Sequence, residues 1–313
     1  MKNSLFFILI AMILSGCQQQ IYPSIYQDQP FVASLNLQNS TLSFVNEKAE
    51  DFATWEFDKQ FTGGILVNQS QDVLLFGYQL NKVYLYSLDK GELLGEWQVG
   101  EGITAAIEVG DEIALANAKL NEIIFLNKKG AKIKTVDVGA YPLDMKIKNG
   151  ELFVINYKDT LISVIDLRRK EVDREFEIPS SSAGLFLKDD EVWIGGHGQG
   201  SKPREGLLVY SSQRGEIIRS VQAGTMPINM IEDEQRYYVV SHGSNEIHLL
   251  SQEYEVIKFN TVGANPFAIS TFSNRIIVAG YDSNELYFLN KQNLQIEKTV
   301  PVGKGPFVLL TRE

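Results

Sequence analysis

Cysteine is almost absent from this chain: Cys17 is the only one among 313 residues, so no intramolecular disulfide can form. Histidine is scarce too, with only His197, His242 and His248, and neither a His-Glu-x-x-His pair nor another metal-ligand spacing occurs. A Gly-x-Ser-x-Gly nucleophile elbow and a phosphate-binding Gly-Lys-Ser/Thr loop are missing as well. From these spacings we predict no catalytic residues, no metal centre and no bound cofactor.

Basic charge and long apolar runs are also in short supply. The 29 Lys and Arg residues face 39 Asp and Glu residues, which gives a formal net charge of −10. Because there is no basic stripe interleaved with aromatic residues, we expect no nucleic-acid partner. The apolar run from Leu5 to Leu14 is too short for a helix that spans a bilayer. Beyond residue 30 no stretch has the 3.6-residue apolar period of a helix, so we predict an all-β fold.

The first residues have the pattern of an exported lipoprotein. Lys2 supplies a positive start, and the apolar run that follows is typical of a signal-peptide core. The run ends in Leu14-Ser15-Gly16-Cys17, which resembles the bacterial lipobox, whose cysteine carries a diacylglyceryl group. We predict a lipoprotein signal peptide over residues 1–16, a lipidated flexible tether over 17–30 and a folded domain over 31–313. An ordinary signal peptide that happens to precede a cysteine is the alternative.

Lipid on Cys17 would make the membrane a partner of this protein. Two acyl chains anchor stably, because each buried methylene contributes about 0.8 kcal/mol, whereas one chain alone is marginal. The predicted location is therefore extracytoplasmic, on the outer leaflet of the cell membrane or, in an organism with two membranes, on the outer membrane.

One phrase organises the rest of the chain: an apolar residue, Gly, two variable residues and Pro. It returns about every 40 residues, and such a period indicates one supersecondary unit copied in tandem. The four intact copies are Val138-Gly139-Ala140-Tyr141-Pro142, Ala223-Gly224-Thr225-Met226-Pro227, Val262-Gly263-Ala264-Asn265-Pro266 and Val302-Gly303-Lys304-Gly305-Pro306. Degenerate copies that have lost the Gly, the Pro or both begin at Phe57, Val99 and Ile178.

Each phrase is followed by short apolar runs with turn residues between them. After Gly139 the runs are 143–147, 152–156, 161–166 and 172–178, the pattern of a four-stranded antiparallel meander. Only one strand, Phe307 to Thr311, follows the last phrase, whereas three strands without a first open the domain at Phe31. We therefore predict a seven-bladed β-propeller with four-stranded antiparallel blades. Pairing of the C-terminal strand with the N-terminal blade closes it and removes the open sheet edges.

The unit opened by Gly139 carries the most specific resemblance. Two of its runs, followed by the phrase, resemble the YVTN-repeat family of seven-bladed β-propellers: Leu152-Phe153-Val154-Ile155-Asn156 and Ile162-Ser163-Val164-Ile165-Asp166. The resemblance covers roughly residues 31–313 and is weak in the first two blades. The resemblance implies the fold and an extracytoplasmic location. It implies no particular reaction or ligand, because one fold hosts many functions.

Two columns of residues predict a site at one mouth of the central channel, where the loops into the first strands and those after the second strands converge. The ends of the second strands are rich in Tyr and His: Asn36, Tyr78, Ala118, Tyr157, His197, His242 and Tyr281. Such rings suit binding of a sugar, a peptide or a cell-wall fragment, or they merely cap strands. In the first strands, Asp144 and Asn229 interrupt a column of small residues and either line the channel or bond to nearby backbone.

The longest unit, which begins at Ile178, has its extra residues between the second and third strands. This Gly-rich segment, residues 195–204, carries His197, Lys202 and Arg204 on the same predicted face. Its glycines permit close approach of the backbone to a ligand, or the segment is a tolerated surface insertion.

We therefore predict a lipid-anchored propeller that binds an envelope protein or a glycan ligand without catalysis. Two alternatives stay open: a lyase-type or lactonase-type enzyme with a His and metal site at the channel mouth, and a scaffold subunit of an envelope protein complex. A deep aromatic mouth favours binding, a channel metal favours the enzyme, and an exposed apolar belt favours the scaffold.

Overall fold

The computed structural model describes residues 20–199 and 201–313, so the predicted signal peptide and Cys17 lie outside the described residues. The strands form seven four-stranded antiparallel sheets and one two-stranded hairpin. This arrangement confirms the predicted seven-bladed β-propeller. In the described part of the chain, no helix is long and apolar enough to cross a membrane.

The blades follow one another along the chain, and the first strands of neighbouring blades contact each other around the axis. Blade 1 consists of β1 (Phe31–Asn36), β2 (Thr41–Val45), β3 (Asp51–Glu56) and, from the other end of the chain, β30 (Pro306–Arg312). The strands of the next three blades are given from the axis to the rim. Blade 2 consists of β4 (Gly63–Val67), β5 (Asp72–Phe76), β6 (Lys82–Ser87) and β7 (Glu92–Gln98), and blade 3 of β8 (Ile103–Val109), β9 (Glu112–Asn117), β10 (Glu122–Asn127) and β11 (Lys132–Asp137). Blade 4 consists of β12 (Pro142–Lys148), β13 (Glu151–Asn156), β14 (Leu161–Asp166) and β15 (Glu171–Glu177).

The remaining three blades repeat this order, with one hairpin inserted in blade 5. Blade 5 consists of β16 (Ser182–Lys188), β17 (Glu191–Gly196), β20 (Glu205–Ser211) and β21 (Ile217–Thr225). Blade 6 consists of β22 (Pro227–Asp233), β23 (Arg236–Ser241), β24 (Glu246–Leu250) and β25 (Val256–Thr261). Blade 7 consists of β26 (Pro266–Phe272), β27 (Arg275–Gly280), β28 (Glu285–Asn290) and β29 (Ile296–Pro301). The inserted hairpin pairs β18 (Gly198–Gln199) with β19 (Lys202–Pro203).

The core lies between the blades rather than inside one sheet. Seven apolar clusters among the described residues each join two neighbouring blades. The middle strands are covered on both faces, so a strand such as β13 is an almost continuous apolar run, whereas the outermost strand β15 is mostly exposed. Sequence periodicity reflects this difference directly.

The two ends of the chain close the ring in one antiparallel pairing. β30 pairs with β1 from Phe31 opposite Arg312 to Leu35 opposite Val308, as the strand count predicts. The Arg312 guanidinium lies 4.6 Å from the centre of the Phe31 ring and donates hydrogen bonds to the backbone oxygens of Tyr26, Gln29 and Ser70. Closure is thus fixed by the strand ladder and by a buried cation.

The segment before β1 differs from the predicted free tether in its described part, residues 20–30. Tyr22 and Ile25 are buried in the cluster between blades 1 and 2. The Tyr22 ring stacks on Trp55 at 4.9 Å, and the Trp55 indole donates a 2.9 Å hydrogen bond to the oxygen of Pro23. A polar, Pro-containing stretch therefore packs as an additional layer against the rim, because two large side chains fit a groove lined by aromatic residues.

Candidate functional site

The first strands of the blades surround a central cavity of about 820 Å³. Its lining is mainly aliphatic and includes Ile65, Ile107, Leu143, Leu185, Ile228, Ile231, Ile269, Val308 and Leu309. Small residues contribute to the lining in three of the blades: Gly63, Ala105 and Ala268. The sequence predicts these small residues because seven strands crowd one axis, and the cavity left between them is largely apolar.

The residues after the second strands occupy equivalent positions in the structure. The amides of Tyr157, His197, His242 and Tyr281 each donate to the oxygen of the residue before the first strand, at 2.9, 2.9, 3.2 and 3.1 Å. In blade 1 the amide that makes this bond belongs to Leu37, at 2.9 Å to Gly305.

Asn36 is therefore one residue out of register in the predicted column, and Leu37 is its true member. Asn36 is the last residue of β1 and is buried. Its side chain donates to Thr41 and Ser43 at 2.9 and 3.1 Å and accepts from Ser34 at 2.8 Å. Its role in the fold is to satisfy polar groups at the end of the strand.

The predicted rings do come together, in two arcs around one mouth of the cavity. Tyr141 joins the first arc, with its ring centre 6.1 Å from Tyr78 and 6.2 Å from Tyr157. In the second arc His197 and His242 meet edge to face at 4.8 Å. These five side chains belong to blades 2, 4, 5 and 6, and three further rings from blades 7 and 1 extend the second arc: Tyr281, Phe267 and Phe307.

Phe267 and Phe307 complete the second arc and are absent from the predicted site. Phe267 stacks on His242 at 5.1 Å and contacts Phe307 at 5.1 Å and Tyr281 at 5.8 Å. Both phenylalanines follow the Pro of the repeated phrase directly, which is the signal that could have identified them. Of the predicted column, Tyr157 and His197 line the cavity itself, together with Tyr141, Phe267 and Phe307. Tyr78, His242 and Tyr281 support these lining rings from outside.

Tyr141 has a backbone conformation that is unusual for a large residue. Its φ is 62°, in the left-handed region that costs an L-residue roughly 1–2 kcal/mol. The equivalent residue of blade 1 is Gly305, at φ 70°. Lys158 lies over the Tyr141 ring with its Nζ 4.7 Å from the ring centre. The equivalent residues of blades 5 to 7 also have a positive φ, so the conformation belongs to the repeated turn into the first strand: Ser181, Met226 and Asn265.

Both mouth histidines are held neutral by burial. Burial lowers the pKa of His197, and it lowers the pKa of His242 although a 3.1 Å contact from Nδ1 to the Asn265 amide oxygen opposes the shift. Within the described residues, Nδ1 of His197 and Nε2 of His242 are buried without a hydrogen-bond partner. Both nitrogens are enclosed by protein atoms, and of the two rings only that of His197 lines the cavity.

The two polar residues of the first-strand column lie on the cavity wall, and both also bond locally. Asp144 accepts a 2.8 Å hydrogen bond from the Met145 amide and lies 3.7 Å from Lys146. Asn229 accepts a 3.0 Å bond from the Met230 amide and donates at 3.3 Å to the oxygen of Phe267. Asp144 and Asn229 thus line the cavity and also form hydrogen bonds with nearby backbone.

The inserted hairpin begins directly after His197 and lies on the mouth face. The Arg204 amide donates to the His197 oxygen at 3.1 Å, and the Arg204 oxygen accepts from Met226 at 2.7 Å, which ties blade 5 to blade 6. Lys202 is exposed, whereas burial lowers the pKa of Arg204, whose Nη1 has no partner in the described part of the chain. Neither side chain lines the cavity. Among residues 20–199 and 201–313, no three His, Asp or Glu side chains form a metal-binding group.

No protein-family model and no curated protein sequence matches this chain. Solved structures with the same fold include a functionally unknown protein from Desulfotomaculum acetoxidans DSM 771, with TM-score 0.74 and 10% identity over 90% of this chain and 98% of that chain. Apo AztD from Citrobacter koseri has TM-score 0.62 and 13% identity over 91% and 97%. BamB from Moraxella catarrhalis has TM-score 0.58 and 14% identity over 90% and 85%. Identities this low show a shared fold alone.

Proposed function

We propose that this protein is a lipid-anchored, extracytoplasmic propeller of the YVTN-repeat type that binds an envelope ligand or protein partner at its mouth, without chemical turnover. The observation that carries the proposal is the convergence of two arcs of rings at a cavity of about 820 Å³ with aliphatic walls. This volume falls within the range of roughly 300–1,000 Å³ that is typical of small-molecule sites.

The lining defines the chemistry of the ligand. Aromatic faces at the mouth and aliphatic side chains below favour a ligand that inserts an apolar or aromatic group into the channel. The His197 ring lines the cavity, so a small rotation of this ring on binding would bring its unpartnered Nδ1 within reach of a neutral polar group of the ligand. A glycan with an apolar substituent or a peptide with an aromatic side chain has both features.

The proposed location depends on the amino-terminal sequence. The apolar run and Leu14-Ser15-Gly16-Cys17 support export and lipidation. The absence of any other cysteine leaves Cys17 free of a disulfide partner within the chain.

A second candidate, a scaffold subunit, is favoured by the rim of blades 5 and 6. Here the outermost strands β21 and β25 expose Ile217, Ile218, Val256, Ile257 and Phe259. In the described part of the chain no further strand pairs with either of them. An exposed apolar strand edge is a site for docking of another chain.

Truncation of one phenylalanine at each surface separates the two candidates. Phe267→Ala removes a ring that lines the mouth, whereas Phe259→Ala removes one that is 59% exposed at the rim. Cell-wall oligosaccharides, muropeptides and soluble envelope proteins are titrated separately against each variant. We expect Phe267→Ala to weaken binding at least about tenfold, or about 1.4 kcal/mol, and Phe259→Ala to leave it unchanged. The reverse pattern would replace the mouth proposal by the scaffold.

A further inference from the structure

The segment before β1 determines which side of the propeller meets the membrane. We infer that the bilayer surface is the partner of the rim formed by blades 1 and 2, and that blade 5 points away from it. This inference rests on the lipid anchor proposed above and goes beyond it, because an anchor on a free tether would select no side.

The first described residues are attached to the rim on both sides of the groove between blades 1 and 2. Gln20 donates a 3.1 Å hydrogen bond to the oxygen of Glu56, the last residue of the outermost strand of blade 1. The Tyr22 amide donates to Gly91 and the Ile25 amide to Leu88, at 2.9 and 2.8 Å, in the turn between β6 and β7 of blade 2.

The backbone of this segment lies too close to blade 2 to shift easily. A Cβ added to Gly91 would come within 2.1 Å of the Tyr22 oxygen, so the turn accepts only glycine there. At the other end of the segment, Arg312 bonds the backbone oxygens of Tyr26 and Gln29. The segment is therefore held along its length from Gln20 to the start of β1.

The distance between the lipid and the rim follows from chain length. Cys17 is three residues from Gln20, and three extended residues span at most about 11 Å. A free tether of the 14 residues from Cys17 to Phe31 would span up to about 50 Å. Packing of residues 20–30 thus shortens the connection between the lipid and the propeller from 14 residues to three. The connection then starts at the rim of blades 1 and 2.

Two exposed apolar side chains lie near this starting point, where a bilayer surface could cover them. Ile21 is 67% exposed beside the attachment, and Leu94 on β7 is 48% exposed on the same rim. Blade 5 lies opposite the groove between blades 1 and 2 in a ring of seven, on the order of 40 Å away in a domain of this size. Its apolar outer strand, together with that of blade 6, is then directed away from the bilayer, where another protein can reach it.

Two matched positions test the orientation. Leu94 and Ile218 are both the bulged residue of an outermost strand, in blades 2 and 5, with exposures of 48% and 44%. Leu94→Cys and Ile218→Cys are prepared as lipidated full-length protein, in which Cys17 carries the lipid and only the new thiol takes a fluorophore. After insertion into phosphatidylcholine vesicles with a headgroup-linked quencher, we expect quenching of the Leu94→Cys label to exceed that of the Ile218→Cys label at least threefold.

Two controls connect the result to the packed segment. Replacing Tyr22 and Ile25 together by Ala should detach the segment from the groove, so the Leu94→Cys and Ile218→Cys labels should be quenched equally. Circular dichroism checks that the blades of this variant remain folded. Ten Gly and Ser residues inserted between Gln18 and Gln19 should have the same effect without touching the groove.

The outcomes separate this inference from the proposed function. Equal quenching at the two positions in protein that sediments with vesicles and carries lipid by mass spectrometry would overturn the orientation and leave the anchor standing. Stronger quenching at the Ile218→Cys label would show that the apolar rim of blade 5 faces the bilayer instead. Protein without lipid on Cys17 would refute both.

Discussion

Deletion of residues 307–313 should destabilise the whole propeller, because it removes the innermost strand of blade 1 rather than a peripheral tail. β30 supplies the pairing partner of β1 from Phe31 to Asn36. It also carries Arg312, which holds the segment before β1 through its backbone oxygens. Without β30 the ring opens between blades 1 and 7.

The magnitude follows from what the strand buries. Leu310 is only 6% exposed and contributes roughly 1.5–3 kcal/mol. Phe307, Val308 and Leu309 are half-buried on the cavity wall, where we expect them to contribute roughly 3 kcal/mol together. The lost ladder adds roughly 1 kcal/mol for each hydrogen bond. The side chains alone contribute about 5 kcal/mol, which already reaches the lower end of the whole stability of a typical domain, about 5–15 kcal/mol, before the ladder is counted.

Urea denaturation and thermal melting of the truncated and full-length proteins measure this loss. Two point variants refine it: Leu310→Ala, in the cluster between blades 1 and 2, should lower the free energy of unfolding by about 2–4 kcal/mol, and Leu309→Ala by less than half as much. A truncated protein that melts like the full-length one would show that the chain ends do not close the ring. Equal losses for the two leucines would refute the assigned register.

Two further predictions concern single residues. Tyr141→Gly should be more stable than Tyr141→Ala by about 1 kcal/mol in urea denaturation, because only glycine adopts a φ of 62° without strain. Both variants should bind ligand more weakly than wild type. Equal stabilities of the two variants would show that the backbone is not strained at this position. Burial lowers the pKa of His248 below its ordinary 6.5 despite its Glu246 partner, so the unfolded chain takes up the proton first as pH falls, and stability is lost below about pH 6.5. His248→Gln should therefore lose less stability between about pH 7 and pH 5 than wild type; an unchanged pH profile would contradict the assignment.

The architecture could be predicted because it depends on local signals that repeat. Turn residues and apolar runs recur with each blade, and the surplus strand at Phe307 to Thr311 matches the deficit before Phe31. Packing between blades turns these runs into buried strands whatever their detailed sequence. The ends of strands are harder to predict than their centres. Leu37 is apolar and continues the pattern of β1, so the sequence places Asn36 in the column where the structure has Leu37.

The site could be predicted only in part because its members come from two sets of positions, the ends of the second strands and the starts of the first strands. Equivalent positions after the second strands identify Tyr157 and His197, whereas Phe267 lies on β26 directly after the proline of the phrase, a position that the column of second-strand ends does not include. The burial of Tyr22 could not be predicted either. It depends on Trp55, which is remote in sequence, and no local pattern in a Gln-rich stretch indicates that contact.

The central claim is that a ligand binds among the rings at the mouth, and a crystal structure of the protein with its bound envelope ligand tests it most directly. We predict ligand atoms in van der Waals contact with the rings of Tyr157, His197 and Phe267 and an apolar group inside the cavity. A ligand seated on the rim strands of blades 5 and 6, with the mouth rings untouched, would contradict the claim.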